Sequence, residues 1–176
     1  MATRSARIQN LDANSLFIAT QPLINGRFHW SLIAVDSLGV MRQYQWHEYS
    51  GGKTAETYSA QKIERLSPRS ASGINTLAYF KIAGYIHADH QRLDAYCRSV
   101  FPRSYPTVQQ NRDHGITARA WLVRVLDCIQ KGGFIVRSDA IKGIEGTVVK
   151  LSQEKEKQYL EYFLKQIPYL APVLVI

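Results

Sequence analysis

The stretch that most constrains the fold is Thr117–Cys128, which reads T-A-R-A-W-L-V-R-V-L-D-C. Ala118, Trp121, Leu122, Val125, Leu126 and Ile129 recur three and four positions apart, so an α-helix sets them on one face. Thr117 offers a side-chain oxygen to the first-turn amides, and Gly132-Gly133 supplies the stop. A helix with so broad an apolar stripe has to lie against a second layer. Its opening turn presents unpaired N–H groups and partial positive charge, which stabilise an anion or depress a thiol pKa. Asn111, Arg112, Asp113 and His114 crowd just ahead of that turn. Chemistry is expected at this end, although Ala118 itself carries no functional group.

The remainder divides into strands, then helices, then strands. Ser15–Gln21 reads as a strand closed by Pro22 and a turn at Asn25-Gly26. Phe28–Val35 is apolar on both faces apart from His29 and Ser31, the pattern of a central strand. Val40–Tyr49 alternates, with Gln43, Gln45 and His47 on one side and Tyr44 and Trp46 on the other. From Ser50 to Ile74 the chain is polar, with Gly51-Gly52 and Pro68, and reads as a loop or flap holding at most one short strand. Thr76–Gly84 reads as a short helix with a glycine stop. Asp89 caps a second helix reaching Phe101. Gly133–Arg137 and Gly146–Leu151 look like strands, Ser152 caps a charged helix, and Pro172–Ile176 is a terminal strand or docked tail. The order argues an α+β domain spanning residues 1–176 as one unit.

Composition narrows the function classes. Hydrophobic content of 45 % with 20 % charged residues is that of an ordinary globular chain, not a disordered one. No apolar run is long enough to span a bilayer, and the first residues lack the apolar core of a secretory signal, so a cytoplasmic protein without a membrane partner is expected. Cys97 and Cys128 have neither metal-type nor redox-type spacing and read as partly buried thiols. The net charge of +8 is scattered rather than gathered in a run. It favours encounter with anionic partners, an acidic carrier protein or tRNA among them. No zinc-finger, recognition-helix or RNP-type pattern accompanies it.

Taken in order, three features form a set: the F-H-W-S-L-I strand, the polar alternating strand after it, and the much later helix opening on a small residue with Arg-x-Trp-Leu-Val. The L-A-Y-F-K-I-A-G-Y-I stretch and the D-x-x-R-L helix lie between them. This set resembles the circularly permuted papain-like superfamily, which includes lecithin–retinol-acyltransferase-type enzymes. It is most similar to small, uncharacterised fungal members with an H-W-x-L strand and an N-C-R-x-W helix start. The resemblance covers residues 27–131 in pieces. It implies an antiparallel sheet packed against helices, with a helix-start Cys attacking an acyl carbon, a strand His as base and a polar residue orienting that His. Carried over, the base is His29, its orienter falls on the face of Gln43, Gln45 and His47, with Gln45 favoured and His47 the alternative, and the nucleophile position is Ala118.

Alanine cannot form a thioester. Either a cysteine has been replaced or lost while the pocket was kept, or Thr117 is the nearby, weaker nucleophile. The substrate side of such a pocket would include His47, Thr117, Arg119, His114 and Trp121. Each also has a plain structural reading: surface or capping polarity for His47, His114 and Arg119, and core packing for Trp121. The pair in I-H-A-D-H suits a helix cap better than a metal, so neither metal nor cofactor is expected. The expected function is a specialised-metabolism enzyme acting on an acyl- or amide-type small molecule by His29 acid/base chemistry, such as cyclisation, isomerisation or hydrolysis. Two alternatives stand beside it: a non-catalytic ligand-binding pseudoenzyme, and an acyl or aminoacyl transferase served by an anionic carrier or tRNA.

Overall fold

The computed structural model describes residues 10–49, 54–64, 66 and 76–176. One mixed sheet is built from β1 (Ser15–Pro22), β2 (Phe28–Val35), β3 (Met41–Glu48), β4 (Glu56–Ile63), β5 (Ala78–Lys81) and β6 (Val173–Val175). Their spatial order is β4-β3-β2-β1-β5-β6. The helices among the described residues are α1 (His90–Ser99), α2 (Val108–Asp113), α3 (Ala118–Lys131) and α4 (Ile141–Leu164). The fold is therefore α+β. The sheet is not wholly antiparallel, because β6 runs parallel to β5. A parallel neighbour needs a long crossover, and the helices between Ile82 and Pro172 provide it.

Alternation along β2 decides what lies where. Phe28, Trp30, Leu32 and Ala34 join Leu16, Ile18, Tyr44 and Trp46 in a core closed by Trp121, Leu122, Val125 and Leu126 of α3. The intervening residues of β2, His29, Ser31, Ile33 and Val35, point to the second face. There Phe17, Ala19, Ile33, Val35 and Tyr79 are covered by Tyr169 and Ala171, with Tyr159 and Tyr162 of α4 packed alongside. α3 begins as expected, with the Thr117 side chain accepting from the Ala120 amide at 2.9 Å.

Four stretches differ from expectation. Thr76–Gly84 is a strand segment rather than a helix: Ala78–Lys81 sits between β1 and β6, and Leu77, Ala78, Tyr79 and Phe80 are buried because both faces are covered. An apolar run of this kind carries neither period, and only its neighbours decide it. Within Ser50–Ile74, β4 is a full strand paired with β3 from Glu48↔Glu56 to Met41↔Ile63. It is the sheet's edge, which explains its polarity. Gly51-Gly52 and Pro68 lie outside the described residues. Gly146–Leu151 belongs to α4, a 24-residue helix capped at Ala140, and Ser152 lies inside it. Gly133–Arg137 contributes only an isolated bridge, Tyr85↔Ile135.

Candidate functional site

On the second face of the sheet, the His29 Nε2–H donates to the Gln45 carbonyl oxygen at 3.3 Å. This contact leaves Nδ1 with the lone pair of the neutral ring. Burial pushes the His29 pKa below its usual 6.5; the Gln45 bond opposes the shift and nearby His47 adds to it. The same face carries a second rung, in which Gln61 Nε2 donates to Gln43 Oε1 and Gln43 Nε2 donates to Ser31 Oγ, both at 3.0 Å. His47 turns its Nδ1–H to the Glu48 carbonyl at 2.7 Å. His29 and Gln45 thus form part of a cross-strand polar ladder.

The start of α3 lies on the other face. Trp30, the chain neighbour of His29, turns toward it, and the Arg119 guanidinium stands 5.9 Å over the Trp30 ring. Arg119 also donates to Glu145 of α4 at 2.6 Å. Trp121 is fully buried, with its indole N–H on the Cys97 carbonyl at 3.0 Å. Ala118 and Thr117 are half-buried at the opening turn. His29 therefore does not face this helix end: strand alternation sends the imidazole to the opposite side of the sheet, with Trp30 on the helix side. The expected pair of base and nucleophile position is not brought together. Comparison of the chain with family models, curated proteins and solved structures gives no match.

What holds the start of α3 is a buried ionic network. The Glu56 carboxylate, 3 % exposed, accepts from Arg112 Nη1 at 2.9 Å and Nη2 at 2.7 Å, and from Asn111 Nδ2 at 2.8 Å. Arg112 Nη1 also donates to the Ile116 carbonyl at 2.6 Å, just before the Thr117 cap. Asn111 Oδ1 accepts from the Tyr105 amide at 2.8 Å. The polar residues ahead of α3 are thus scaffold, carried on α2, whose Thr107–Gln110 capping box was a readable start signal. His114 is exposed, stacks on Tyr105 with centroids 4.1 Å apart and bonds the Gln110 carbonyl. His90 opens α1 and pairs with the Tyr44 hydroxyl at 2.7 Å, while Asp89 caps the helix.

Neither cysteine lies at the start of α3. Cys97 is buried and its pKa is pushed well up by desolvation. Cys128 lies in the third turn of α3, far from the opening amides.

A cleft of about 300 Å³ opens elsewhere, between the β3–β4 edge and the chain leaving α1. Trp46, Tyr58 and Phe101 form its aromatic lining, with Arg98 and Arg103 among its charged groups. The Trp46 and Phe101 rings meet edge-on at 5.1 Å. The sequence holds one signal for it, the alternation of Arg and aromatic residues in R-S-V-F-P-R-S-Y. Tyr58 and Trp46 come from a hairpin far away in the chain, and no local pattern announces that pairing. No helix among the described residues is long and apolar enough to cross a membrane.

Proposed function

We propose that this protein is a non-catalytic small-molecule-binding domain on a papain-like frame. The observation that carries the reading is the separation of His29 from the α3 opening turn by the sheet itself. Nucleophilic catalysis needs its base within hydrogen-bond reach of the attacking atom. Here the position of attack holds an alanine, and the imidazole is engaged in a ladder on the other face. A frame of buried strand, polar hairpin strand and capped helix is kept in this reading, while its acyl-transfer chemistry is not.

The test is Ala118→Cys, alkylated with iodoacetamide at neutral pH and followed by mass spectrometry. The expected result is the rate of an ordinary helix-start thiol, unchanged when His29→Ala is added. Fast alkylation that slows about tenfold on removing His29 would mean an activated pair and would overturn the reading.

A further inference from the structure

We propose that the cleft between the β3–β4 edge and the chain leaving α1 binds a monoanionic aromatic carboxylate, its carboxylate on Arg103 and its rings against Tyr58 and Phe101. The proposal rests on the binding reading and names the site and the ligand class. Three observations carry it.

The first is an unsatisfied donor. Trp46 lines the cleft, is 4 % exposed, and its Nε1–H is the buried side-chain donor without a hydrogen-bond partner among the described residues. The donor is unpaired and shut off from water at a cost of about 1–3 kcal/mol, so a ligand that shifts the Trp46 ring enough to bring an oxygen beside it recovers that energy.

The second is the charge balance. Glu56 is taken up by Arg112 and Asn111. Asp94 is taken up by Arg98 Nε at 2.6 Å and by the Tyr58 hydroxyl at 2.7 Å. Arg103 has no carboxylate among the described residues and stands 5.4 Å over the Tyr105 ring. Among the described residues the lining therefore carries one uncompensated positive charge, and Arg124, over Phe101 at 5.1 Å, adds to the field. One exposed guanidinium fork suits one planar carboxylate.

The third is shape. Edge-on aromatic walls and a volume at the small end of ligand pockets suit a fused two-ring acid better than a nucleotide or a long acyl chain.

The experiment titrates ¹⁵N-labelled protein with 2-naphthoate and watches the three tryptophan indole N–H signals, Trp46 being assigned with Trp46→Phe. The expected outcome is a saturable shift of the Trp46 indole. Naphthoate affinity should fall about tenfold in Arg103→Gln at an unchanged thermal midpoint, and 2-naphthamide should bind about tenfold more weakly to the unaltered protein. A Trp46 indole that stays still, or naphthoate affinity indifferent to Arg103→Gln, overturns the proposal. Inorganic phosphate displacing naphthoate at equal concentration overturns the carboxylate assignment. Shifts confined to His29 and Gln45 would sink the cleft and leave the binding reading standing. Hydrolysis of 2-naphthyl acetate that disappears in His29→Ala would sink the binding reading itself.

Discussion

Thr20 on β1 and Ser152 in the middle of α4 share a hydroxyl–hydroxyl hydrogen bond of 3.0 Å, and both side chains are wholly buried. The bond fixes α4 to the helix-bearing face of the sheet, close to where Val148 enters the core. Ser152→Ala orphans the Thr20 hydroxyl and is expected to cost about 2 kcal/mol. Thr20→Val orphans Ser152 in turn. The double variant removes both hydroxyls, so it should lose less than the sum of the singles. Urea unfolding of the four proteins measures the coupling, and strictly additive losses would show that the two hydroxyls do not depend on each other.

Arg112 and Glu56 give a second prediction. Arg112→Ala leaves a nearly inaccessible carboxylate with only Asn111 as its side-chain partner, at an expected cost of about 3 kcal/mol. Arg112→Lys keeps the charge but loses the two-pronged contact, and should cost about half as much. Because Arg112 also holds the Ile116 carbonyl, hydrogen exchange at the first amides of α3 should rise before global unfolding does. Protection there that tracks global stability alone would contradict this anchoring.

Local signals read well where one residue type answers one local need. The Thr117 cap, the Asp89 cap and the apolar stripe of α3 were all legible, as were β2 and β3 to within a residue at each end. Tertiary context decided the rest. Ser152 has the chemistry of a cap and acts instead as a buried partner for a strand 132 positions away. Gly143 and Gly146 are exposed positions inside α4, tolerated because Ile141, Ile144 and Val148 bury the opposite side. For the site, alternation put Gln43, Gln45 and His47 on one face without fixing the register, and His29 bonds Gln45 of that set. The same alternation, applied to Trp30 and α3 together, puts His29 on the wrong side of the sheet for the helix start. The cleft around Trp46 had a signal only in its R-S-V-F-P-R-S-Y wall, since its other walls come from distant hairpin segments.

Gly84 supplies a prediction about backbone. Its φ is +77°, and a Cβ there would collide with the Val136 carbonyl, where the Val136 amide returns a bond to Gly84 at 2.8 Å. Gly133 has a similar φ of +81° but open space around a Cβ. Gly133→Ala should therefore cost only the left-handed penalty of about 1–2 kcal/mol. Gly84→Ala should cost more, because the collision is with backbone rather than a flexible side chain. Equal losses in thermal or urea unfolding would mean that the turn after β5 can move away from Val136 freely.

Tyr169 is pushed up to about 12 by burial, with its hydroxyl donating to the Leu77 carbonyl at 2.6 Å. The unfolded chain releases this proton near 10, the folded one later, so the contribution is whole below 10 and is lost as pH rises toward 12. Tyr169→Phe should lower stability at neutral pH by about 1 kcal/mol and soften the alkaline loss. An alkaline profile identical to that of the unaltered protein would place the loss on other tyrosines, with Tyr44 and Tyr58 the next to examine since burial raises both.

The acid side belongs to His29. Its folded pKa lies below 6.5, so the unfolded chain takes up the proton first as pH falls. Stability is then complete above about 6.5, declines as pH drops toward the folded value, and levels off beneath it. The imidazole C–H signal of His29 should titrate with a midpoint under 6.5. His29→Gln keeps a polar side chain beside Gln45 without a titrating proton, so it should flatten the loss of stability as pH falls below 6.5. A general base poised for chemistry would show a midpoint near neutrality and a ring open to solvent. A midpoint above 6.5, together with an unchanged acid slope in His29→Gln, would mean that the ladder holds an imidazolium, and the case for His29 as a neutral structural rung would fall.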